Sequence, residues 1–306
     1  MSSRSVEHAV VAAAQHESRA GAVQENLGRA LSLLARAREH GAGLVVFPEC
    51  NLTGYGHETA DEVAAHALEV DAPPVAAVRE ACERLEVNAI VGFVERDGAA
   101  LYNSTALVDD QGELLGVFRK LHLPCLGVDR FVSQGDREPE VFDTSAGRVS
   151  MLICADMIFP EAARVAVLKG ADIVAISACV PQGISVYADR LIQVRAYENC
   201  AYVVYANSAG PDGRWSYDGR SQIAGPSGQV LAEAPPAGDH LLVAALELAD
   251  AREKVRVRQP FGGIPDAYEV DFFGQRRPEL YGALVAPVDD RGQPVHSLEP
   301  SSERTG

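Results

Sequence analysis

Residues 149–161 read VSMLICADMIFPE, a segment in which an apolar strand is joined to a helix through a short turn. Its first five residues are apolar except for one serine, and such a short run is typical of a buried strand. Cys154 follows directly, and Pro160 suits the first turn of a helix. The pattern predicts a strand-turn-helix unit that carries a thiol at the carboxyl end of its strand.

Two other segments repeat this arrangement. The segment LVVFPE, residues 44–49, ends in Glu49, and LLGVFRK, residues 114–120, ends in Lys120. In sheets flanked by helices, ligand sites gather beyond the carboxyl ends of strands. We therefore expect a carboxylate, an ammonium and a thiol to converge at one site.

The rest of the chain alternates strands with helices and hairpins from residue 7 to about residue 258. Hydrophobic periodicity predicts helices at 23–40, 73–85, 160–169 and 186–200 and hairpins at 106–118, 141–153 and 221–233. Nothing resembling a Pro/Ser-rich linker divides this region. We predict one α/β domain over residues 1–260, and a C-terminal extension over residues 261–306 that packs on the domain or on a partner subunit.

Composition excludes several classes of function. The 306 residues are 47% hydrophobic and 23% charged, which is typical of a globular protein. A formal net charge of −16 repels phosphate backbones and anionic lipids, so we expect neither nucleic acid nor membrane partners. No apolar run approaches the roughly 18 residues that a membrane helix needs, and the first residues do not form a signal peptide. A cytoplasmic protein is predicted.

Cysteine and histidine spacing argues against a bound metal. The six cysteines include no CxxC pair, and the histidines show no metal-ligand spacing. A lone cysteine at the end of a strand is more often a core residue than a nucleophile. Three reactive side chains in three similar contexts favour the catalytic interpretation. Glu49 could then accept the proton of the Cys154 thiol, and Lys120 could stabilise an oxyanion.

Beyond these residues, the chain resembles the nitrilase superfamily of carbon–nitrogen hydrolases. The resemblance covers roughly residues 7–250, and its signature segments lie in the expected order. These segments are FPE (47–49), RKLHLP (119–124), ICAD (153–156), FPE (159–161), GAD (170–172), RAYEN (195–199), Asn207 and GPSG (225–228).

The resemblance implies an α-β-β-α sandwich with mixed sheets and a Glu-Lys-Cys triad that forms a thioester acyl-enzyme. It assigns Glu49 as general base, Lys120 as oxyanion stabiliser and Cys154 as nucleophile, with the backbone N–H of Ala155 as a second oxyanion donor. It also implies no metal or organic cofactor. Subunits of the family usually pair into homodimers or larger homo-oligomers.

One departure from the family pattern concerns the second carboxylate. Many members carry another glutamate a few residues after the lysine, where this chain has Asp129, one methylene shorter. Asp129 is expected to hold Lys120 and the substrate amine; the alternative is a loop carboxylate paired with Arg130. His122 is expected to support the lysine segment, although a Cys–His pair would indicate a different hydrolase mechanism.

The residues after the nucleophile indicate the kind of bond. Nitrilases typically follow the cysteine with Trp-Glu, whereas Ala155 and Asp156 here resemble the amidase branch. Met157 and Ile158 replace arginines that bind a substrate carboxylate in carbamoyl-amino-acid hydrolases of the family. Tyr55 and Ile158 are expected to line a pocket for a neutral or partly apolar acyl group.

The predicted function is hydrolysis of a small non-peptide amide with release of ammonia or an amine. Three alternatives stay open: an N-carbamoyl hydrolase, an acyltransferase or amide synthase that uses the same triad, and a catalytically silent scaffold of the same fold. Burying a carboxylate, an ammonium and a thiol together is costly, which argues against the scaffold.

Overall fold

The computed structural model describes residues 6–260, 266–286 and 288. In these residues the strands are β1 (His8–Gln15), β2 (Leu44–Val46), β3 (Asn88–Asp97), β4 (Ala100–Val108), β5 (Leu114–Arg119), β6 (Val141–Thr144), β7 (Gly147–Ile153), β8 (Ile173–Ala178), β9 (Tyr202–Asn207), β10 (Ala209–Asp212), β11 (Trp215–Asp218), β12 (Gln222–Ala224), β13 (Val230–Glu233), β14 (His240–Glu247), β15 (Val255–Arg258) and β16 (Tyr268–Asp271). The α-helices are α1 (Val23–Glu39), α2 (Ala60–His66), α3 (Pro73–Leu85), α4 (Pro160–Leu168), α5 (Ile192–Asn199) and α6 (Leu248–Arg252).

Two six-stranded mixed sheets form the centre of the fold. The first has the order β14-β1-β2-β3-β4-β5 and the second β13-β12-β9-β8-β7-β6. In each sheet the three central strands are parallel and the outer strands pair antiparallel. Strands of one sheet contact strands of the other, while α1 and α3 cover the first sheet and α4 and α5 the second. The predicted α-β-β-α sandwich is confirmed.

Central strands are buried on both faces, which explains their nearly continuous apolar sequence. Ala12 and Val45 belong to the core between the first sheet and its helices. Val11 and Leu44 point to the opposite face, because side chains alternate along a strand, and they are equally inaccessible. Continuous apolar sequence is typical of parallel strands that are covered on both faces of the sheet.

Predicted and observed elements agree over most of the sandwich. The helix predicted at residues 73–85 is observed as Pro73–Leu85, and the three predicted hairpins are present. The helix predicted at 186–200 instead begins with a π-helical turn, Tyr187–Leu191, before α5. Strand β14, which pairs with β1 at the edge of the first sheet, was not predicted.

The described residues divide into two units between Glu253 and Lys254, so residues 254–260 lie with the second unit. That unit contains the β15–β16 hairpin. The predicted extension over 261–306 lies partly outside the described residues, and its packing on the domain or on a partner stays a prediction. No helix in the part of the chain that the structure describes is long and apolar enough to span a membrane.

Asp212, at the end of β10, fixes the loop that follows Glu49. Its Oδ2 accepts hydrogen bonds from the backbone N–H groups of Tyr55 and Gly56 at 2.8 and 2.7 Å. Its Oδ1 accepts from the N–H of Ala20 at 2.6 Å. One buried carboxylate therefore satisfies three backbone donors and ties the loop to the two-stranded sheet of β10 and β11.

We expect Asp212→Ala to lower the free energy of unfolding by about 3 kcal/mol, because buried donors would lose a charged acceptor. Asp143→Ala is the control, since its side chain is 92% exposed, and it should change stability by less than about 0.5 kcal/mol. Urea unfolding of both variants measures the difference. Equal losses in the two variants would show that the Asp212 contacts do not hold the loop.

Candidate active site

Glu49 lies on a tight turn just beyond β2. Cys50, the next residue, has a left-handed backbone with φ +48°. The turn crosses β3 so closely that a Cβ on Gly92 would approach the nitrogen of Cys50 to 2.5 Å. Only glycine fits beneath this turn, and the turn directs the Glu49 carboxylate into the protein, where it is buried.

Lys120 follows β5 and is held by the neighbouring strand, because its N–H donates to the carbonyl of Asn103 at 2.9 Å. Its ammonium lies between two carboxylates, with Nζ 2.6 Å from Glu49 Oε1 and 2.6 Å from Asp129 Oδ2. All three charged side chains are inaccessible to solvent. The structure thus brings Glu49, Lys120 and Asp129 together.

Asp129 reaches Lys120 through a 3-10 turn, Gly127–Arg130. Gly127 has φ +51°, and a Cβ there would lie 2.1 Å from the ring of Tyr55. The Tyr55 hydroxyl donates to Asp129 Oδ2 at 2.8 Å. Because Gly127 has no side chain, the backbone of the turn packs directly on the Tyr55 ring, and Asp129 reaches Lys120 from there.

Asn103 is a residue of the cluster that the sequence analysis missed. Its Nδ2 donates to Glu49 Oε1 at 2.7 Å and to Asp129 Oδ1 at 2.8 Å. A signal was available, because Asn103 interrupts the apolar pattern of β4, and a buried amide requires hydrogen-bond partners.

Cys154 follows β7 and opens the 3-10 turn Cys154–Ile158. Its backbone is left-handed with φ +44°, and Cys154 as a whole is only 7% exposed. Ala155 lies in the first turn, where N–H groups have no acceptor within the helix. An oxyanion formed at Cys154 could accept from such a donor.

The buried carboxylate of Asp156 holds this turn in place. Its Oδ2 accepts from the N–H of Ile153 at 3.1 Å, and its Oδ1 accepts from the N–H of His122 at 3.0 Å. His122 Nδ1 also lies 2.8 Å from Asp156 Oδ1, and its ring stacks on Phe159. The contacts of His122 thus join the segment after Lys120 to the turn after Cys154.

The two residues predicted to line the substrate pocket lie in different surroundings. Tyr55 is buried, and its ring centroid is 5.6 Å from Lys120 Nζ. Ile158 is 43% exposed, and its carbonyl accepts from Arg195 Nη2 at 2.9 Å. Their roles in substrate binding stay predictions.

Burial and charge set the protonation of the cluster. Burial raises the pKa of Glu49, Asp129 raises it further, and Lys120 and Asn103 oppose the shift. Burial alone would lower the pKa of Lys120, but Glu49 and Asp129 outweigh it and raise that pKa well above its usual value. Lys120 is therefore held as an ammonium, whereas Glu49 takes up a proton more readily than an exposed glutamate does.

The thiol of Cys154 is neutral at rest. Burial raises its pKa well above the usual value and the Glu49 charge adds to this, while Lys120 and a hydrogen bond from the Cys179 backbone oppose it. Glu49 Oε2 is buried without a hydrogen-bond partner among the described residues. This oxygen therefore has its lone pairs free to accept a proton. No group of three or more His, Cys, Asp or Glu side chains in the described ranges could hold a metal ion.

Comparisons with known sequences agree with this geometry. The family model for carbon–nitrogen hydrolases matches residues 10–256. The chain is 34% identical over 258 residues to a nitrilase of Pyrococcus abyssi, covering 84% of this chain and 93% of that one. It is 30% identical over 279 residues to a citrullinase of Francisella tularensis, with 85% and 93% covered. It is 32% identical over 231 residues to an N-carbamoylputrescine amidase of Arabidopsis thaliana, with 70% and 73% covered.

Solved structures give the same result. A variant of the amidase from Nesterenkonia sp. AN1, in which glutamine replaces a glutamate, superposes with a TM-score of 0.74 at 26% identity, covering 90% of this chain and 97% of that one. That structure shows the acetamide moiety of fluoroacetamide covalently added at the active-site cysteine. Together with the matched family model, these similarities show that the chain is a carbon–nitrogen hydrolase of the nitrilase superfamily and belongs to its amidase-like branch.

Proposed function

We propose that the chain hydrolyses small non-peptide amides through a thioester on Cys154 and releases ammonia or an amine. The observation that carries the proposal is the buried ammonium of Lys120, 2.6 Å from both Glu49 and Asp129. Cys154 lies within electrostatic reach of all three groups. Such a set provides a base, a fixed cation and a nucleophile in one water-poor site.

In the first step, Glu49 Oε2 takes the proton of the Cys154 thiol as sulfur attacks the amide carbonyl carbon. The carbonyl π electrons move to oxygen, and the resulting oxyanion accepts hydrogen bonds from Lys120 and the N–H of Ala155. Both donors are fixed before the reaction, so little reorganisation is needed when charge develops. Protonated Glu49 then returns its proton to the amide nitrogen, the C–N bond breaks, and a thioester remains.

In the second step, water replaces the departed amine. Glu49 removes a proton from the water, whose oxygen attacks the thioester carbon, and the same oxyanion donors act again. Collapse of the intermediate breaks the C–S bond, and the proton held by Glu49 restores the thiol. One carboxylate therefore serves both half-reactions, and a free carboxylic acid leaves.

Carbamoyl compounds are the second candidate substrates, favoured by two relatives named citrullinase and N-carbamoylputrescine amidase. The same thiol could attack a carbamoyl carbon. Met157 and Ile158 offer no cation for a substrate carboxylate in the turn after the nucleophile. A neutral amide therefore suits that turn better than a carbamoyl amino acid does.

Substitution of Cys154 tests the identity of the nucleophile. Cys154→Ala should abolish ammonia release from small amides while the fold survives, because alanine keeps the Cβ and removes only sulfur. Cys82→Ala is the matched control, since Cys82 is a buried cysteine of α3. Ammonia release and circular dichroism are measured for both. Similar losses of activity in the two folded variants would rule out Cys154 as the nucleophile.

Substitution of Lys120 tests the oxyanion donor. Lys120→Arg should lower kcat by about a hundredfold or more, because a planar guanidinium cannot occupy the position of a compact ammonium. Lys169→Arg, at the end of α4, is the control and should leave kcat within about twofold, as exposed substitutions usually do. Steady-state kinetics decides, and near-normal kcat in Lys120→Arg would contradict the assigned role.

The dependence of activity on pH tests the general base. Glu49 must be ionised to act as a base, so kcat/KM falls as the pH drops through the pKa of Glu49. The charge of Asp129 raises that pKa. Asp129→Asn should therefore move the acid limb of kcat/KM to lower pH, and the plateau should fall because Lys120 loses an ionic partner. The pH profile of this variant is compared with that of Asp143→Asn. An acid limb that stays in place or moves to higher pH in Asp129→Asn would be inconsistent with Glu49 as the base.

A further inference from the structure

Asn103 occupies the centre of the buried cluster without carrying charge. It lies in β4, it is buried, and its backbone carbonyl accepts from the N–H of Lys120. Its amide nitrogen donates to Glu49 Oε1 at 2.7 Å and to Asp129 Oδ1 at 2.8 Å. One amide therefore uses both of its N–H bonds on two carboxylates that would otherwise repel each other.

The chemistry of the partners fixes the orientation of this amide. Ionised carboxylates only accept hydrogen bonds, so Nδ2 and not Oδ1 must face Glu49 and Asp129. Oδ1 faces the other way and accepts a weak hydrogen bond from the thiol of Cys50 at 3.4 Å. The amide therefore has a partner on each side.

The contacts of Glu49 are unequally shared between its two oxygens. Oε1 accepts from both Lys120 and Asn103, whereas Oε2 has no hydrogen-bond partner among the residues that the structure describes. Two donors on one oxygen fix the plane of the carboxylate. The second oxygen is thereby left for proton transfer.

We propose that Asn103 is the positioning residue for the general base, because it holds Oε1 of Glu49 together with Lys120 and so keeps Oε2 free and ionised. This inference rests on the proposed role of Glu49. It goes further by assigning the orientation and ionisation of that carboxylate to a neutral side chain outside the triad.

Several groups shift the pKa of Glu49, and Asn103 and Asp129 shift it in opposite directions. The hydrogen bond from Asn103 lowers the pKa of Glu49, whereas the charge of Asp129 raises it. Loss of the two side chains should therefore move the acid limb in opposite directions. The titratable or charged groups that lie around Glu49 are Cys50, Tyr55, Lys120, Asp129, Cys154, Cys179, Tyr187 and Tyr217.

The test compares Asn103→Ser with wild type. We expect the acid limb of kcat/KM to move to higher pH by about one unit, which is a tenfold loss of kcat/KM at a pH below both limbs. Asn88→Ser is the matched control: Asn88 is equally buried, and its amide donates to Gly43 and to Ser145 Oγ, which are uncharged acceptors. Its acid limb should coincide with that of wild type.

Two results would overturn the proposal. One is an Asn103→Ser profile that loses plateau activity without moving its limb, since that is the behaviour of a structural residue. The other is an equal shift in Asn88→Ser. If Asn103→Ser fails to fold, as judged by circular dichroism, Asn103→Thr decides, because threonine suits a strand and also lacks the amide that donates to both carboxylates. Movement of the acid limb to higher pH in Asn103→Thr supports the proposal, and an unmoved limb contradicts it.

A second readout separates this inference from the proposed function. The rate at which iodoacetamide alkylates Cys154, followed by peptide mass spectrometry across pH, reports activation of the thiol without turnover. One outcome is that wild type releases no ammonia from amides while the acid limb of the alkylation rate moves to higher pH in Asn103→Ser. That result would refute the proposed amidase function and support the positioning role of Asn103. Normal amide hydrolysis by wild type, with the acid limbs of kcat/KM and of alkylation unmoved in Asn103→Ser, would support the amidase function and refute the positioning role.

Discussion

The ion pair between Lys120 and the carboxylates of Glu49 and Asp129 is the constraint on which the rest of the site depends. Buried charges are costly unless geometry and additional hydrogen bonds satisfy them, and breaking such a pair leaves an uncompensated charge. Here Nζ lies 2.6 Å from each carboxylate, and Asn103 and Tyr55 supply further donors. The carboxylates in turn hold Lys120 as an ammonium. In the proposed mechanism this cation stabilises the oxyanion formed at Cys154.

The two-sheet architecture explains how the cluster is assembled. Glu49 and Lys120 follow strands of the first sheet, whereas Cys154 follows β7 of the second. Packing the sheets face to face brings the thiol within electrostatic reach of the charged groups. Left-handed residues at Cys50 and Cys154 allow the chain to turn sharply there. Strained turns at both positions are consistent with a site whose parts must be held before substrate arrives.

Much of this arrangement is predictable from the sequence because it depends on local patterns. Apolar strands that end in Glu49, Lys120 and Cys154 can be recognised, and the 73–85 periodicity with its early prolines defines α3. Strand β14 was missed because its pairing with β1 joins residues more than 200 positions apart. Asn103 was missed because its importance comes from two carboxylates that local sequence does not place beside it. Similarly, the three hydrogen bonds to Asp212 depend on tertiary contacts.

The thioester on Cys154 can be detected by intact-mass spectrometry of acid-quenched mixtures of the protein with small amides, carbamoyl compounds and nitriles. We expect an adduct with the mass of the acyl group of an amide, mapped to Cys154 by peptide analysis and absent from Cys154→Ala. The adduct should disappear as the amide is consumed. An adduct on another cysteine, or ammonia release without any Cys154 adduct in rapidly quenched samples, would contradict the thioester mechanism.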